Sequence, residues 1–292
     1  MNMKKISGIA AGVALAFSIA APASAVTLEA GDLKITFNAF DAGTVNYGNT
    51  PGIKCLTVAQ CDAVPGITQA PNSIGSEDTW GIFSVQSISR VSDGSLIFTA
   101  GQNGEYLTGM FGNIQDTLVE VSGITVPSTT ALGTGGFLNM YLTGQNYNAS
   151  FGPGGRLGLM GYNGITNVGG TLALSAVFGA GVVGGLPAYT YSSSYNNNTI
   201  GGGSQGFLDV TGGAWEDLFN TNSQFDPNGN AHDLYLKATY SQTGASAAAG
   251  WTVDASGDVL GEVGEVPEPG SLALLGLGFA GLAGLRRRRA AK

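Results

Sequence analysis

The sequence predicts an all-β body, a single β-sandwich or jelly-roll-like domain, and three observations carry that prediction. Short runs alternate apolar and polar residues with period two, as in Leu33-Lys34-Ile35-Thr36-Phe37 and in Asp233-Leu234-Tyr235-Leu236-Lys237-Ala238-Thr239-Tyr240. Turn signals, Asp93-Gly94, Asn163-Gly164 and Asn228-Gly229, fall between such runs. The composition is 11% charged with 48 Gly in 292 residues, against about 25% and about 7% in ordinary globular chains. Long charged helices, coiled coils and basic nucleic-acid binders are therefore excluded, while 43% hydrophobic residues supply a core.

In chain order the strand candidates are 33–37, 80–88, 95–99, 117–121, 137–143, 171–178, 206–210, 233–240 and 250–253. One short helix is expected over 213–220 (GAWEDLFN). Two stretches read as loops: the Asn- and Gly-rich 191–203 and the small-residue run 245–250. No fixed-period repeat supports a solenoid or propeller. Cys55 and Cys61 are the two cysteines, and in an exported chain an even count favours a disulfide over a metal pair or a catalytic thiol.

Charge divides the chain into three parts. Lys4 and Lys5 open it, and Arg286, Arg287, Arg288, Arg289 and Lys292 close it. Between them, Lys34, Lys54, Arg90, Arg156 and Lys237 face all 20 acidic residues, a net of −15. Residues 1–25 read as a secretory signal peptide: a basic start, an apolar stretch over 6–21, then Pro22-Ala23-Ser24-Ala25 with cleavage after Ala25. Residues 26–265 form the secreted all-β domain. Residues 266–292 hold Pro267-Glu268-Pro269, the uncharged run SLALLGLGFAGLAGL and the four arginines. As a helix, the 15-residue run at 1.5 Å per residue extends about 22 Å, so it spans a bilayer only with thinning or snorkelling. The Arg cluster stays cytoplasmic under the positive-inside rule, which places the acidic body outside.

This tail resembles the PEP-CTERM sorting signal. The resemblance implies an exosortase, a membrane-embedded cysteine transpeptidase-like enzyme of exopolysaccharide-making Gram-negative bacteria, as the processing partner. It further implies that the tail holds the protein in the inner membrane until a cut near 267–269 passes the body to the cell surface or extracellular matrix. Two prolines around Glu268 cannot form regular helix, which suits an extended cleavage segment. The body segments Gly206-Phe207-Leu208-Asp209-Val210-Thr211-Gly212-Gly213 and Asp233-Leu234-Tyr235-Leu236 are similar in style to parts of secreted floc-associated proteins with the same tail. From this follows the expectation of a non-enzymatic structural or adhesive role in exopolymer, biofilm or floc, with exopolysaccharide as a further partner and no nucleic acid.

Other motifs point elsewhere. Gly202-Gly203-Ser204-Gln205-Gly206 matches a nucleophile elbow, with Asp209, Asp217 or Asp226 and then His232 in order, but a loop precedes it and a strand follows, so no catalytic residue is assigned. Gly276-Leu277-Gly278-Phe279-Ala280-Gly281 lies in the apolar tail with no preceding strand and reads as a helix-packing face, not a dinucleotide site. Residues 226–233 place oxygens at alternate positions like half a calcium loop, yet Ala231 and Lys237 break the EF-hand pattern. Asp226, Asn228, Asn230 and Asp233 remain a candidate for a looser Ca²⁺ site, with no other cofactor expected, and His232 reads as a surface turn residue. Tyr189, Tyr191 and Tyr195 cluster by the polar loop, where exposed rings stack on sugars. A carbohydrate- or calcium-binding module is thus the alternative function.

Overall fold

The computed structural model of the protein describes residues 28, 30–44, 52, 54–123 and 125–264. The signal peptide with Ala25, the Pro267-Glu268-Pro269 motif, the expected membrane-spanning helix and Arg286 to Arg289 lie outside the described residues. Among the described residues no helix is long and apolar enough to cross a membrane.

The strands are β1 (Gly31–Gly43), β2 (Lys54–Cys55), β3 (Thr79–Arg90), β4 (Leu96–Thr99), β5 (Tyr106–Ser122), β6 (Ser128–Thr143), β7 (Thr171–Gly179), β8 (Tyr191–Asn196), β9 (Gly201–Gly212), β10 (Gln224–Phe225), β11 (Ala231–His232), β12 (Leu234–Ser241) and β13 (Val253–Val263). Among the described residues three short α-helices, α1 (Val58–Asp62), α2 (Glu216–Phe219) and α3 (Gly244–Ala248), and three single 3₁₀ turns interrupt them. The all-β prediction holds, and α2 lies inside the predicted helical stretch. The predicted 250–253 run only meets the first residue of β13. The expected loop over 191–203 is instead β8 and the start of β9, and the expected loop over 245–250 contains α3, whose Thr243 and Ser246 form a capping box.

Every pairing is antiparallel. From β5 the hydrogen-bonded order runs through β3, β1, β13, β12, β9, β7 and β6, and β6 pairs back onto β5, closing an eight-stranded barrel. The long strands β6 and β9 share two partners. They pair with β7 through 137–142 and 207–212, and with β8 through 128–133 and 201–206.

A closed barrel thus stands in place of the sandwich the sequence predicted, for two physical reasons. Register shifts at Thr36/Phe37, Thr79/Gly81 and Asp116/Leu118 bend the strands, and such bulges curl a sheet toward closure. Glycines also sit directly opposite phenylalanines: Gly257 faces Phe37, Gly109 faces Phe83 and Gly81 faces Phe111. A Cβ at Gly257 would lie 2.8 Å from the Phe37 ring, so a missing side chain on one strand makes room for a ring on the next inside a narrow interior.

The interior is filled by the inward phase of each strand, as in β1, where Leu33, Ile35, Phe37 and Ala39 are buried, and in β12, where Leu234, Leu236 and Ala238 are. Asp41 continues this phase on β1, where with Asp116, Tyr191, Tyr195 and Tyr240 it lines a polar space of about 50 Å³ at one pole. An apolar space of about 60 Å³ adjoins it. Spaces of this size hold a few waters, well below the roughly 300 Å³ of a drug-sized ligand site.

A second core lies outside the barrel. Trp80, Ile82, Met110 and Phe137 meet Tyr162, Ile165 and Trp251, brought over the wall by residues 144–170 and the segment after α3. The Trp80 and Trp251 rings are 5.4 Å apart, and the indole nitrogens donate to the carbonyls of Pro71 and Ala149. Arg156 lies 4.3 Å over the Trp80 ring and grips Glu77 with both terminal nitrogens. Neither side chain of this ion pair is more than 3% exposed.

Candidate functional site

The Cys55 and Cys61 sulfurs are bonded, as expected, and both residues are buried against Val119, Val121 and Ala131. The bridge ties the α1 segment to the barrel beside the β2–β5 pairing.

The 226–233 segment is a hairpin turn, but its side chains serve the protein itself. The Asp226 carboxylate accepts from the backbone nitrogens of Asn228 and Asn230 and from the Asn230 side chain, each at 2.8 Å. Asn228 donates to the carbonyls of Gly181 and Val183 and accepts from Gly185. Asp233 accepts from Val210 and Asn222. Asp233 therefore turns to different partners from Asp226. Among the described residues no group of three or more His, Cys, Asp or Glu side chains gathers at metal-binding distance.

His232 is not a surface residue, as the sequence suggested, but is 4% exposed. Its Nδ1 donates to Asp209 at 2.8 Å, its Nε2 lies 3.6 Å from Asp226 Oδ2, and its ring stacks on Phe207. Burial alone would raise the Asp226 carboxyl. Donors from Asn230 and Asn228 outweigh it and hold the group below the ordinary carboxylate range. This knot clips the β10–β11 hairpin to the barrel.

Of the three tyrosines by the loop expected to face sugars, Tyr191 and Tyr195 turn inward and Tyr189 is half-buried. Tyr191 is 7% exposed and packs edge-on against Phe178, and Tyr195 lines the polar pole beside it. Ser204 likewise faces the interior, within hydrogen-bond reach of Tyr191. At that pole Asp41 Oδ1 and the Tyr195 hydroxyl have no hydrogen-bond partner among the described residues. Burial, together with the charges of Asp116 and Glu77, pushes the Asp41 carboxyl from 3.8 up to about 8, so it is largely protonated at neutral pH. Burial also raises Asp78 to about 6, against the opposing donors of Asp116 and Thr44.

The outer wall formed by β9, β12, β13 and β1 is partly open: Phe207 is buried beneath the stacked His232 ring, Tyr235 is half-buried and Leu260 is exposed. Register places Phe207, Tyr235, Leu260 and Lys34 side by side in one row. The neighbouring row is Gln205, Lys237, Asp258 and Thr36. The Phe207 and Tyr235 rings are 4.9 Å apart, and the Tyr235 hydroxyl donates to Gln205 Oε1 at 3.0 Å. Phe225 on the clipped hairpin is 67% exposed beside them. Between hairpin and wall runs a groove of about 310 Å³. The outward phase of β12 was legible in the sequence alternation. The pairing that adds Phe207 and Phe225 to it is long-range and was not.

The carboxyl-terminal residues define an exported protein that carries its own sorting address. The family profile of the PEP-CTERM protein-sorting motif matches residues 265–289, so the chain carries that motif. The motif marks export and exosortase-dependent delivery to the cell surface or extracellular space. No curated protein and no solved structure matches the chain.

Proposed function

We propose that the protein is a non-enzymatic component of the cell surface or extracellular matrix, with a structural or adhesive role in exopolymer, biofilm or floc. Its tail holds it in the inner membrane until an exosortase cuts near 267–269. The observation that carries this reading is the sequence order. A sorting motif begins directly after a barrel whose interior is packed by its own side chains, leaving spaces of about 50 and 60 Å³. Such a body offers the outside of its wall, not an internal chamber, to whatever it meets.

A carbohydrate-binding role is the second reading, favoured by the partly open aromatic wall; Tyr191 and Tyr195 contribute nothing to it. Replacing Pro267-Glu268-Pro269 by alanines tests the sorting step. The mature full-length protein is expected to accumulate in the membrane fraction, and a body that still appears outside at its usual size would overturn the processing. Deleting the gene is expected to disperse cell aggregates, and unchanged aggregation would remove the adhesive role.

A further inference from the structure

We infer that the partly open wall binds a neutral polysaccharide, with Phe225 and Tyr235 as stacking platforms and the amides of Gln205 and Gln224 meeting ring hydroxyls. The inference deepens the matrix role proposed above and rests on it only for the setting in which the polymer is met.

Single exposed apolar residues are ordinary and need no explanation. Phe225 differs because its mount is rigid and its neighbours are rings. The hairpin that carries it is fixed by the Asp226 hydrogen bonds and by the contact of His232 with Asp209. The groove beside it is lined by Phe207, Tyr235 and Pro227. The polar groups there suit hydroxyls. Tyr235 occupies Gln205 Oε1, which leaves the amide NH₂ of Gln205 as a donor. Gln224 uses its Nε2 on Ser223, which leaves its carbonyl oxygen as an acceptor. A pyranose ring presents C–H faces to aromatic surfaces and hydroxyls at its rim, so it fits both halves of this groove.

Charge selects among polymers. On the wall, Lys34 and Lys237 stand beside Asp258, with Lys34 4.0 Å from its carboxylate. Asp226 also lines the groove and Asp209 stands half-exposed on β9, so the strip is mildly negative on a body (26–265) of net −14. The surrounding field repels an anionic polymer, and no strong local charge recruits one. A neutral, hydroxyl-rich chain is the occupant this surface fits.

The test is affinity electrophoresis of the full chain in mild detergent, through gels containing dextran, hydroxyethyl cellulose or galactomannan, with alginate as the anionic contrast. Retardation is expected in at least one neutral polymer and not in alginate. Phe225→Ala and Tyr235→Ala should each weaken it by about tenfold. Tyr235→Phe, which keeps the ring but releases Gln205, should fall between. Leu96→Ala removes an equally exposed apolar side chain on β4 and should change nothing. No retardation in any neutral gel, retardation in alginate alone, or retardation unaffected by Phe225→Ala would overturn the inference. So would light scattering that shows a dimer lost in Phe225→Ala without polysaccharide binding, since the wall would then serve self-association. A failed sorting experiment would leave the gel result intact, so the two proposals fail separately.

Discussion

The barrel has two aromatic walls, one sealed and one only partly covered. On the first, Trp80, Trp251 and Tyr162 are sealed by residues 144–170 and clamped by the Arg156–Glu77 pair. On the second, the buried Phe207 packs at 4.9 Å against the half-buried Tyr235, and Phe225 beside them is 67% exposed. The same side-chain chemistry thus does two jobs. Where the chain folds back over its rings they contribute to stability, and where it does not they offer contact.

The comparison is broken most severely at the covered wall. Arg156→Met leaves the Glu77 charge buried without its partner, and Trp251→Ala opens a large cavity. Each should cost about 3–5 kcal/mol. For a body of this size that is a drop on the order of 10 °C in the thermal midpoint, read by circular dichroism. Opening the disulfide with Cys55→Ser and Cys61→Ser should cost about 2 kcal/mol, because the closed loop is short. On the partly covered wall, Phe225→Ala should shift stability by less than about 0.5 kcal/mol, while it lowers polymer binding. A loss there as large as that of Trp251→Ala would erase the distinction between the walls.

The polar pole adds a pH signature. Because the folded state raises Asp41 from 3.8 to about 8, it binds a proton that the unfolded chain releases earlier. That contribution is complete below about pH 4 and is lost as pH climbs through about 8. Asp78, raised to about 6, acts in the same direction. The thermal midpoint should therefore fall between pH 5 and pH 8. Asp41→Asn should flatten the fall and raise the midpoint at pH 8; an equally steep fall in the variant would show that Asp41 is not the cause.

How far the sequence carried these features depended on how local they are. Alternation over 233–240 separated both faces of β12, because Leu234 and Leu236 enter the core and Tyr235 and Lys237 leave it. The tail was legible for the same reason, being a contiguous order of Pro, apolar and Arg residues. Barrel closure was not, since it depends on β1 finding β13 at the far end of the body and on bulges that composition does not reveal. The Ser-rich β8 looks like a loop on its own, and becomes a strand because short β7 leaves a gap between β6 and β9 that β8 fills. His232 misled because its partner Asp209 lies 23 residues away.

The register of β1 against β13 sets Gly31 opposite Val263, so the barrel's first and last strands begin and finish at one pole. Only four peptide units separate Gly264 from Glu268, a reach of about 14 Å even at full extension. A cut near that glutamate must then take place almost against the folded barrel. If the cut falls there as proposed above, the enzyme would have to accept a bulky globule at its rim, and fusing a longer spacer there should relax that demand.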